Sequence, residues 1–411
     1  MKRLLLVCLY LCGTASLPAS GRELTLSTGT GMQVEIYPGT GEAMLLWLAS
    51  EHGLPEGLTA FARAIREQGT EFWLVDPYSS WFLHPAPSSL DSFDTAELAE
   101  LIGLAAERTG KKVYLGSNDK ASRVLLRAAR ELQLTDSEVI AGAVLVTPDL
   151  FARTPAPGQP ARFAPITAAT NLPVMLVVAE KSTLALRWQQ LGDSLRQGGS
   201  TVFTQMVKEV RDRFFFRPDA TPQEQAAAGA LPAMVAQSLL LLGHDGRPRR
   251  AVELAEVPRP AMARTQALLP FGGDPQPPEV GLMDLAGRRH GLADYRGKVV
   301  IVHFWASWCP PCVHEMPMMV RLLESYREAG LEVLAVNLGE SPAEIETFLE
   351  QMPVNFTILL DPAQSAPRRW QVYAFPTSFV VDRDGRIRYS VAGALDWTSD
   401  AVKEAIASLL R

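Results

Sequence analysis

Two cysteines separated by two residues, Cys309 and Cys312, are the groups in this 411-residue chain best suited to chemistry. The chain has four cysteines, and the other two, Cys8 and Cys12, fall in or beside an apolar run from Leu4 to Leu11. Lys2 and Arg3 before that run and small residues from Thr14 to Ser20 after it give the order of a secretory signal peptide, spanning 1–21. The mature chain then keeps only Cys309 and Cys312. Two cysteines cannot build a disulfide framework for a chain of this size, nor supply four ligands to a closed zinc site. Redox catalysis remains, with the thiol pair itself as the redox group and no cofactor or metal expected. Pro310 and Pro311 lack N–H groups and suit the first turn of a helix, where those groups have no intrahelical partner. Val313, Met316 and Val320 continue at helical spacing, so the cysteines stand one turn apart at a helix N-terminus. The partial positive charge there stabilises a thiolate and lowers a pKa of ~8.5 in free cysteine. Cys309, at the outer end, attacks a substrate disulfide, and Cys312 then attacks the mixed disulfide and releases the reduced product.

The elements that must position this pair are legible around it. "KVVIVHFW", from Lys298 to Trp305, is a near-continuous apolar run and predicts a central strand buried on both faces, leading straight into the cysteines. An earlier body alternates strand candidates with amphipathic segments. The strands are Met32 to Tyr37, Ala43 to Ala49, Phe72 to Asp76, Lys112 to Leu115, Ile140 to Val146, Val174 to Ala179 and Val202 to Val207. The helices are Leu58 to Glu67, Thr95 to Arg108 with Asp94 and Glu97 as a capping box, Ala121 to Leu134, and Leu184 to Gln197. Alternation of this kind predicts an α/β fold with a mostly parallel, doubly wound sheet. Seven of the 30 prolines lie between Gly243 and Glu279 and predict an extended linker that holds two bodies apart. The expected division is 1–21 signal peptide, 22–243 first domain, 244–274 linker and 275–411 second domain. No run of about 20 apolar residues is expected to span a membrane.

The order of elements in the first domain resembles an α/β-hydrolase. The test is the nucleophile elbow, G-x-S-x-G at a strand-to-helix turn. Aligned on Gly116, the nucleophile position holds Asn118 and the second glycine is Lys120. The loop after Ala179 offers Glu180 as an acid, and "KEVRDRFFF" after Val207 offers no histidine. His52 and His84 are the two histidines of this domain, and Ser117 or Ser122 without a base is an unactivated alcohol. A catalytically inactive hydrolase-like domain is expected.

"GRRHGLADYRGKVVIVHFWASWCPPCVHEMP", "LEVLAVNLGE" and "FTILLDPAQSAPRRWQVYAFPTSFVVDRDGRIRYSVAGAL" resemble the thioredoxin superfamily, and within it the TlpA-like thiol-disulfide oxidoreductases. The resemblance extends over the last ~135 residues and implies a thioredoxin-like domain. It implies that Pro376 is a cis-proline facing the disulfide and that Phe375 offers its backbone to an extended peptide. It also implies that Glu315 is a partly buried carboxylate that exchanges a proton with Cys312, and that Trp308 lies at the rim in reach of substrate. His303 departs from the family, standing where an Asp or Asn is usual six residues before Cys309, and is a candidate for tuning the thiols. His314 is expected on an exposed face. Peroxiredoxins share the wider fold, but their P-x-x-x-T-x-x-C pattern is absent before Cys309.

A formal charge of −6, from 39 Lys+Arg against 45 Asp+Glu, gives no phosphate-neutralising stripe, so nucleic acid is not an expected partner. The expectation is an exported, periplasmic reductase of protein disulfides, fed with electrons by a membrane thiol carrier. After signal cleavage no stable membrane insertion is expected; an uncleaved anchor is the alternative. The resemblance points to cytochrome c maturation or a similar assembly step. The competing readings are a binding or scaffold protein whose hydrolase-like domain recruits a ligand to the redox domain, and a disulfide donor.

Overall fold

The computed structural model describes residues 20–86, 89–135, 137–152, 157–160, 162–245, 251–254 and 267–411. The signal-peptide residues up to 19, and Pro248, Pro258 and Pro260 of the linker, lie outside them.

The first sheet has eight strands: β1 (Ser20–Thr25), β2 (Gly31–Tyr37), β3 (Ala43–Leu48), β4 (Glu71–Asp76), β5 (Lys112–Asp119), β6 (Ile140–Pro148), β7 (Val174–Lys181) and β8 (Val202–Arg211). Their order is β1-β2-β4-β3-β5-β6-β7-β8. β1 and β2 are antiparallel, and β4 to β8 run parallel with β3 between β4 and β5. Between and after the strands come α1 (Glu56–Glu67), α2 (Pro77–Ser80), α3 (Thr95–Thr109), α4 (Ala121–Gln133), α5 (Pro165–Ala169), α6 (Trp188–Gln197) and α7 (Pro222–Leu242). Both faces are covered. Leu98, Leu101 and Ile102 of α3 and Val124, Leu125 and Ala128 of α4 share one core with alternate strand residues such as Leu46 and Leu145. Phe61 and Ile65 of α1 and Leu231, Val235 and Leu239 of α7 share the other with Leu45, Trp47 and Val177. The apolar runs of β3, β6 and β7 follow from burial on both sides.

The second sheet is ordered β11-β10-β14-β13-β12-β15-β16-β9. Its strands are β9 (Leu269–Pro270), β10 (Leu282–Asp284), β11 (Arg289–His290), β12 (Val299–Trp305), β13 (Leu331–Leu338), β14 (Thr357–Asp361), β15 (Thr377–Val381) and β16 (Ile387–Ala392). The helices are α8 (Pro310–Tyr326), α9 (Pro342–Gln351), α10 (Ser365–Arg369) and α11 (Asp400–Leu410). β12 is central, parallel to β13 and antiparallel to β15, and every one of its residues is buried. Alternation along β12 sends Val299 and Ile301 toward the core that Met319, Leu322 and Leu323 of α8 share with Ile406 of α11. Val300, Val302 and Phe304 face Trp370 and Phe379 on the other side.

Several expectations need correction. β5 does not stop at Leu115. Its pairing with β3 and β6 continues through Ser117 and Asn118 to Asp119, so the strand-to-helix turn falls at Asp119, with φ 49°. The residue at the elbow is therefore Asp119 rather than Asn118. Gly116 serves a different purpose, since a side chain there would meet the Trp47 ring at 2.4 Å. Asp94 caps α3 through the Ala96 and Glu97 amides, but Glu97 does not reach back to close a capping box. Its carboxylate instead accepts from Thr28 Oγ1 at 2.5 Å, Thr30 Oγ1 at 2.6 Å and Trp81 Nε1 at 2.7 Å, three donors brought by tertiary packing. The expected helix from Leu184 breaks at Arg187 into a short 3₁₀ turn and α6.

The 21-residue α7 was not anticipated, although Thr221, Pro222 and Glu224 form a capping box with proline in the first turn. By length and apolarity it passes for a membrane span, yet its Leu231, Val235 and Leu239 are buried in the core. The 244–274 linker ends earlier than expected, because Leu269 and Pro270 pair with β16 inside the second sheet. Nor are the bodies held apart. Arg187 donates to the Arg368 carbonyl at 3.3 Å and lies 4.9 Å over the Tyr373 ring, while Phe151 packs edge-on against Tyr373 at 5.8 Å.

Candidate active site

Cys309 is the N-cap of α8, with Pro310 and Pro311 in the first two helical positions. The prolines remove two of the N–H donors that a helix start normally offers, leaving the Cys312 amide and the helix dipole to act on the thiols. The two cysteines are joined as a disulfide, Cα to Cα 5.3 Å. Cys309 is 5% exposed and Cys312 fully buried, so Cys309 is the more accessible sulfur of the pair.

The buried stripe of α8 runs Cys312, Glu315, Met316, Met319, so helical spacing alone places Glu315 one turn below Cys312. The side chain of Glu315 is 1% exposed, and its Oε1 accepts the Leu395 amide hydrogen. Its Oε2 has no hydrogen-bond partner among the described residues. Burial pushes the carboxyl up to about 7, against the lowering effect of the Leu395 amide. The Glu315 carboxyl thus changes its protonation near neutral pH.

His303 is fully buried on β12, its Nδ1 2.9 Å from Ser378 Oγ and 3.9 Å from Glu315 Oε2. Its Nε2 is unpartnered among the described residues, and burial lowers the ring to about 3. The imidazole is therefore neutral across the physiological range, beside the Glu315 carboxyl.

The Phe375–Pro376 peptide is cis, and Trp308 packs edge-on to Phe375 with ring centroids 6.3 Å apart. Trp308 is half-buried and Trp305 wholly so, while His314 is exposed, as expected. Trp308 and Phe375 pack in one apolar cluster with Cys309 and Cys312, and His303 lies beside Glu315.

Glu340 is a residue that sequence reasoning missed. Its Oε2 accepts from the Ser307 amide at 2.8 Å and from Asn337 Nδ2 at 2.7 Å, and its Oε1 accepts from Ser307 Oγ. It ties the segment before Trp308 and Cys309 to the end of β13. The signal was the polar pair Asn337 and Glu340 closing an apolar strand.

Residues 274–390 match the AhpC/TSA family. The thiol-disulfide oxidoreductase ResA of Geobacillus thermodenitrificans is 38% identical over 132 residues, 32% of this chain and 75% of that protein. The C-terminal third of the chain belongs to the ResA/TlpA-related thiol-disulfide oxidoreductases of the thioredoxin superfamily. ResA of Bacillus subtilis is 34% identical to this ResA-like domain over 118 residues, 29% of the chain and 66% of that protein. Among solved structures, a putative thiol:disulfide interchange protein DsbE from Chlorobium tepidum is 34% identical, covers 34% of this chain and 97% of that one, and gives a TM-score of 0.32. The ResA-like domain is a redox domain with a C-x-x-C pair suited to disulfide chemistry.

The candidate hydrolytic residues of the first domain do not assemble in the same way. Ser117 and Ser122 are fully buried and hydrogen-bonded to each other at 2.9 Å. Glu180 is held by Lys208 and the Glu209 amide. His52, which the sequence gave no reason to place here, lies with Nε2 3.5 Å from Asp119 Oδ2. Burial, with Arg213 and Lys120, lowers His52 to about 4. Burial, with Glu51 and Asp212, raises the Asp119 carboxyl well above its usual range, which disfavours the carboxylate form a nucleophile needs.

Proposed function

We propose that this chain is an exported thiol-disulfide oxidoreductase that reduces protein disulfides with the Cys309 and Cys312 dithiol. The observation that carries the reading is a barely exposed sulfur at a helix N-cap, backed by a buried sulfur with a carboxyl of pKa about 7 one turn below it. The Cys309 thiolate attacks one sulfur of a substrate disulfide, and the other substrate sulfur leaves as a thiolate and takes a proton. Glu315 accepts the proton of Cys312. The Cys312 thiolate attacks Cys309 Sγ, the second substrate sulfur leaves and is protonated, and the domain retains both oxidising equivalents as its own disulfide.

Regeneration needs two electrons from outside, and a membrane thiol carrier is the proposed donor. Export is supported by the charged, apolar and small-residue order of the first 21 residues, at the end of which β1 begins at Ser20. The periplasm is the proposed location, and apocytochrome cysteines are a fitting substrate class. The first domain has a mostly parallel sheet of order β1-β2-β4-β3-β5-β6-β7-β8 covered on both faces, and we read it as a hydrolase-like domain without a working nucleophile.

The test is the equilibrium potential of the pair in the mature protein, titrated against glutathione or dithiothreitol and read by thiol alkylation. A value near or below about −270 mV is expected for a reductase; one near about −120 mV would make the chain a disulfide donor and reverse the proposed direction.

A further inference from the structure

A groove of about 340 Å³ beside Trp308 is built by both domains. Trp308, Glu340, Glu344 and Phe348 line it from the ResA-like domain, and Lys181, the last residue of β7, lines it from the first. Lys181 Nζ is 3.0 Å from Glu209 and 3.9 Å from Glu344. A second contact is made by Arg187, 5% exposed, which packs over Tyr373, two residues before Phe375. Loop residue Gly158 comes so close to Phe271 that a side chain there would meet its ring at 2.5 Å. The first domain therefore reaches the ResA-like domain both beside Trp308 and at the segment leading to Pro376. Phe151, Lys181, Arg187 and Glu209 all lie at or just beyond the carboxyl ends of β6, β7 and β8, the edge where open α/β sheets bind ligands.

Resting on the oxidoreductase reading, we propose that the first domain forms the second wall of the substrate groove, and that this groove selects polypeptides carrying an Arg or Lys beside their disulfide. The charge balance favours a cationic occupant: the carboxyl groups of Glu209 and Glu344 flank the single Lys181 ammonium, and the Glu340 carboxyl lines the same groove. Hydrogen bonds from Ser341 hold the Glu344 carboxyl below its usual range, so it is charged at neutral pH. The half-buried Trp308 ring and Phe348 supply an apolar floor on which the stem of an Arg or Lys side chain lies, with the ring face attractive to its charged head.

The experiment uses the mature full-length chain, reduced beforehand and freed of reductant, in single-turnover reaction with two peptides. Each peptide contains one disulfide, and they differ only in Arg or Glu beside it. The Arg peptide is expected to react about threefold to tenfold faster, with the preference shrinking in 1 M salt. Glu344→Lys is expected to abolish or invert the ratio. Lys181→Glu, which alters only the first domain, is expected to increase it. Equal rates for both peptides in the wild type refute the selectivity, and a ratio unmoved by Lys181→Glu refutes the assignment of the wall to the first domain. In both cases the peptides are still reduced and the oxidoreductase reading stands. Failure to reduce either peptide, or a small aromatic disulfide, sinks the oxidoreductase reading and the inference with it.

Discussion

Replacing Glu315 by Gln isolates the energetic effect of a titratable carboxyl beneath the thiols. An ordinary glutamate titrates at 4.5, whereas Glu315 in the folded, oxidised protein titrates at about 7. Below pH 4.5 the group is protonated in both folded and unfolded chains and contributes nothing to pH dependence. Between 4.5 and 7 the folded state binds the extra proton, so stability falls as pH rises through this window. Above 7 the whole difference is lost, about 3 kcal/mol at 1.36 kcal/mol per pKa unit. The amide of the Glu315→Gln variant cannot titrate. Its oxygen still accepts from Leu395, and any cost of the unpaired amide N–H group, roughly 1–3 kcal/mol, is the same at every pH. The variant should therefore lack the wild type's decline of about 3 kcal/mol between pH 4.5 and 8, whatever its absolute stability. Calorimetric unfolding of both oxidised proteins across this range measures the difference. Parallel pH profiles would refute the placement of a neutral-titrating carboxyl at this site. The variant should also slow release of the mixed disulfide, because Cys312 loses its proton acceptor.

Replacing Cys312 by Ser should trap a covalent adduct between Cys309 and a disulfide substrate on a non-reducing gel, whereas Cys309→Ser should trap none; the opposite pattern would reverse the two roles. Nitrogen-15 NMR of the His303 ring should show no protonation between pH 8 and 5, as expected for a group lowered to about 3; titration near 6.5 would place it in contact with water or a fixed anion. Glu224→Gln leaves the largely buried Arg211 without its main partner, bonded at 2.7 Å and 2.6 Å, and should cost about 3 kcal/mol in urea unfolding of the first domain. No change there would mean the pair is solvated. The mature chain should not turn over small activated esters above background; turnover abolished by Asp119→Asn would restore hydrolysis to the first domain.

The site was legible wherever local chemistry dictated it. Two consecutive prolines followed by apolar residues at helical spacing fit a helix start, and the β-branched apolar run before them fits a central strand, so Cys309 and Cys312 could be placed before any tertiary contact was known. The 3.6-residue period then carried Glu315 beneath them. Groups set by long-range packing were not legible. Asp119 takes the turn because β3 and β6 extend the ladder past Gly116, which no pattern within β5 announces. Glu97 deserts its own helix end for donors from Thr28, Thr30 and Trp81, up to 69 residues away in sequence. Arg187 reads as an ordinary helix cation, and its ring partner Tyr373 lies 186 positions later in the chain.

The chain joining the two domains is anchored at both ends. Arg130 Nε donates to the Val252 carbonyl at 2.9 Å on the first domain, and Leu269 and Pro270 are stitched to β16 on the second. Only residues 255–266 separate Leu254 from Ala267, a stretch that reaches no farther than roughly 45 Å when fully extended. Each domain therefore meets the other at an effective concentration on the order of millimolar. Contacts such as Arg187 and Phe151 on Tyr373 and Lys181 near Glu344 are thus made within one molecule. Meeting of the two domains is then a unimolecular event, independent of dilution.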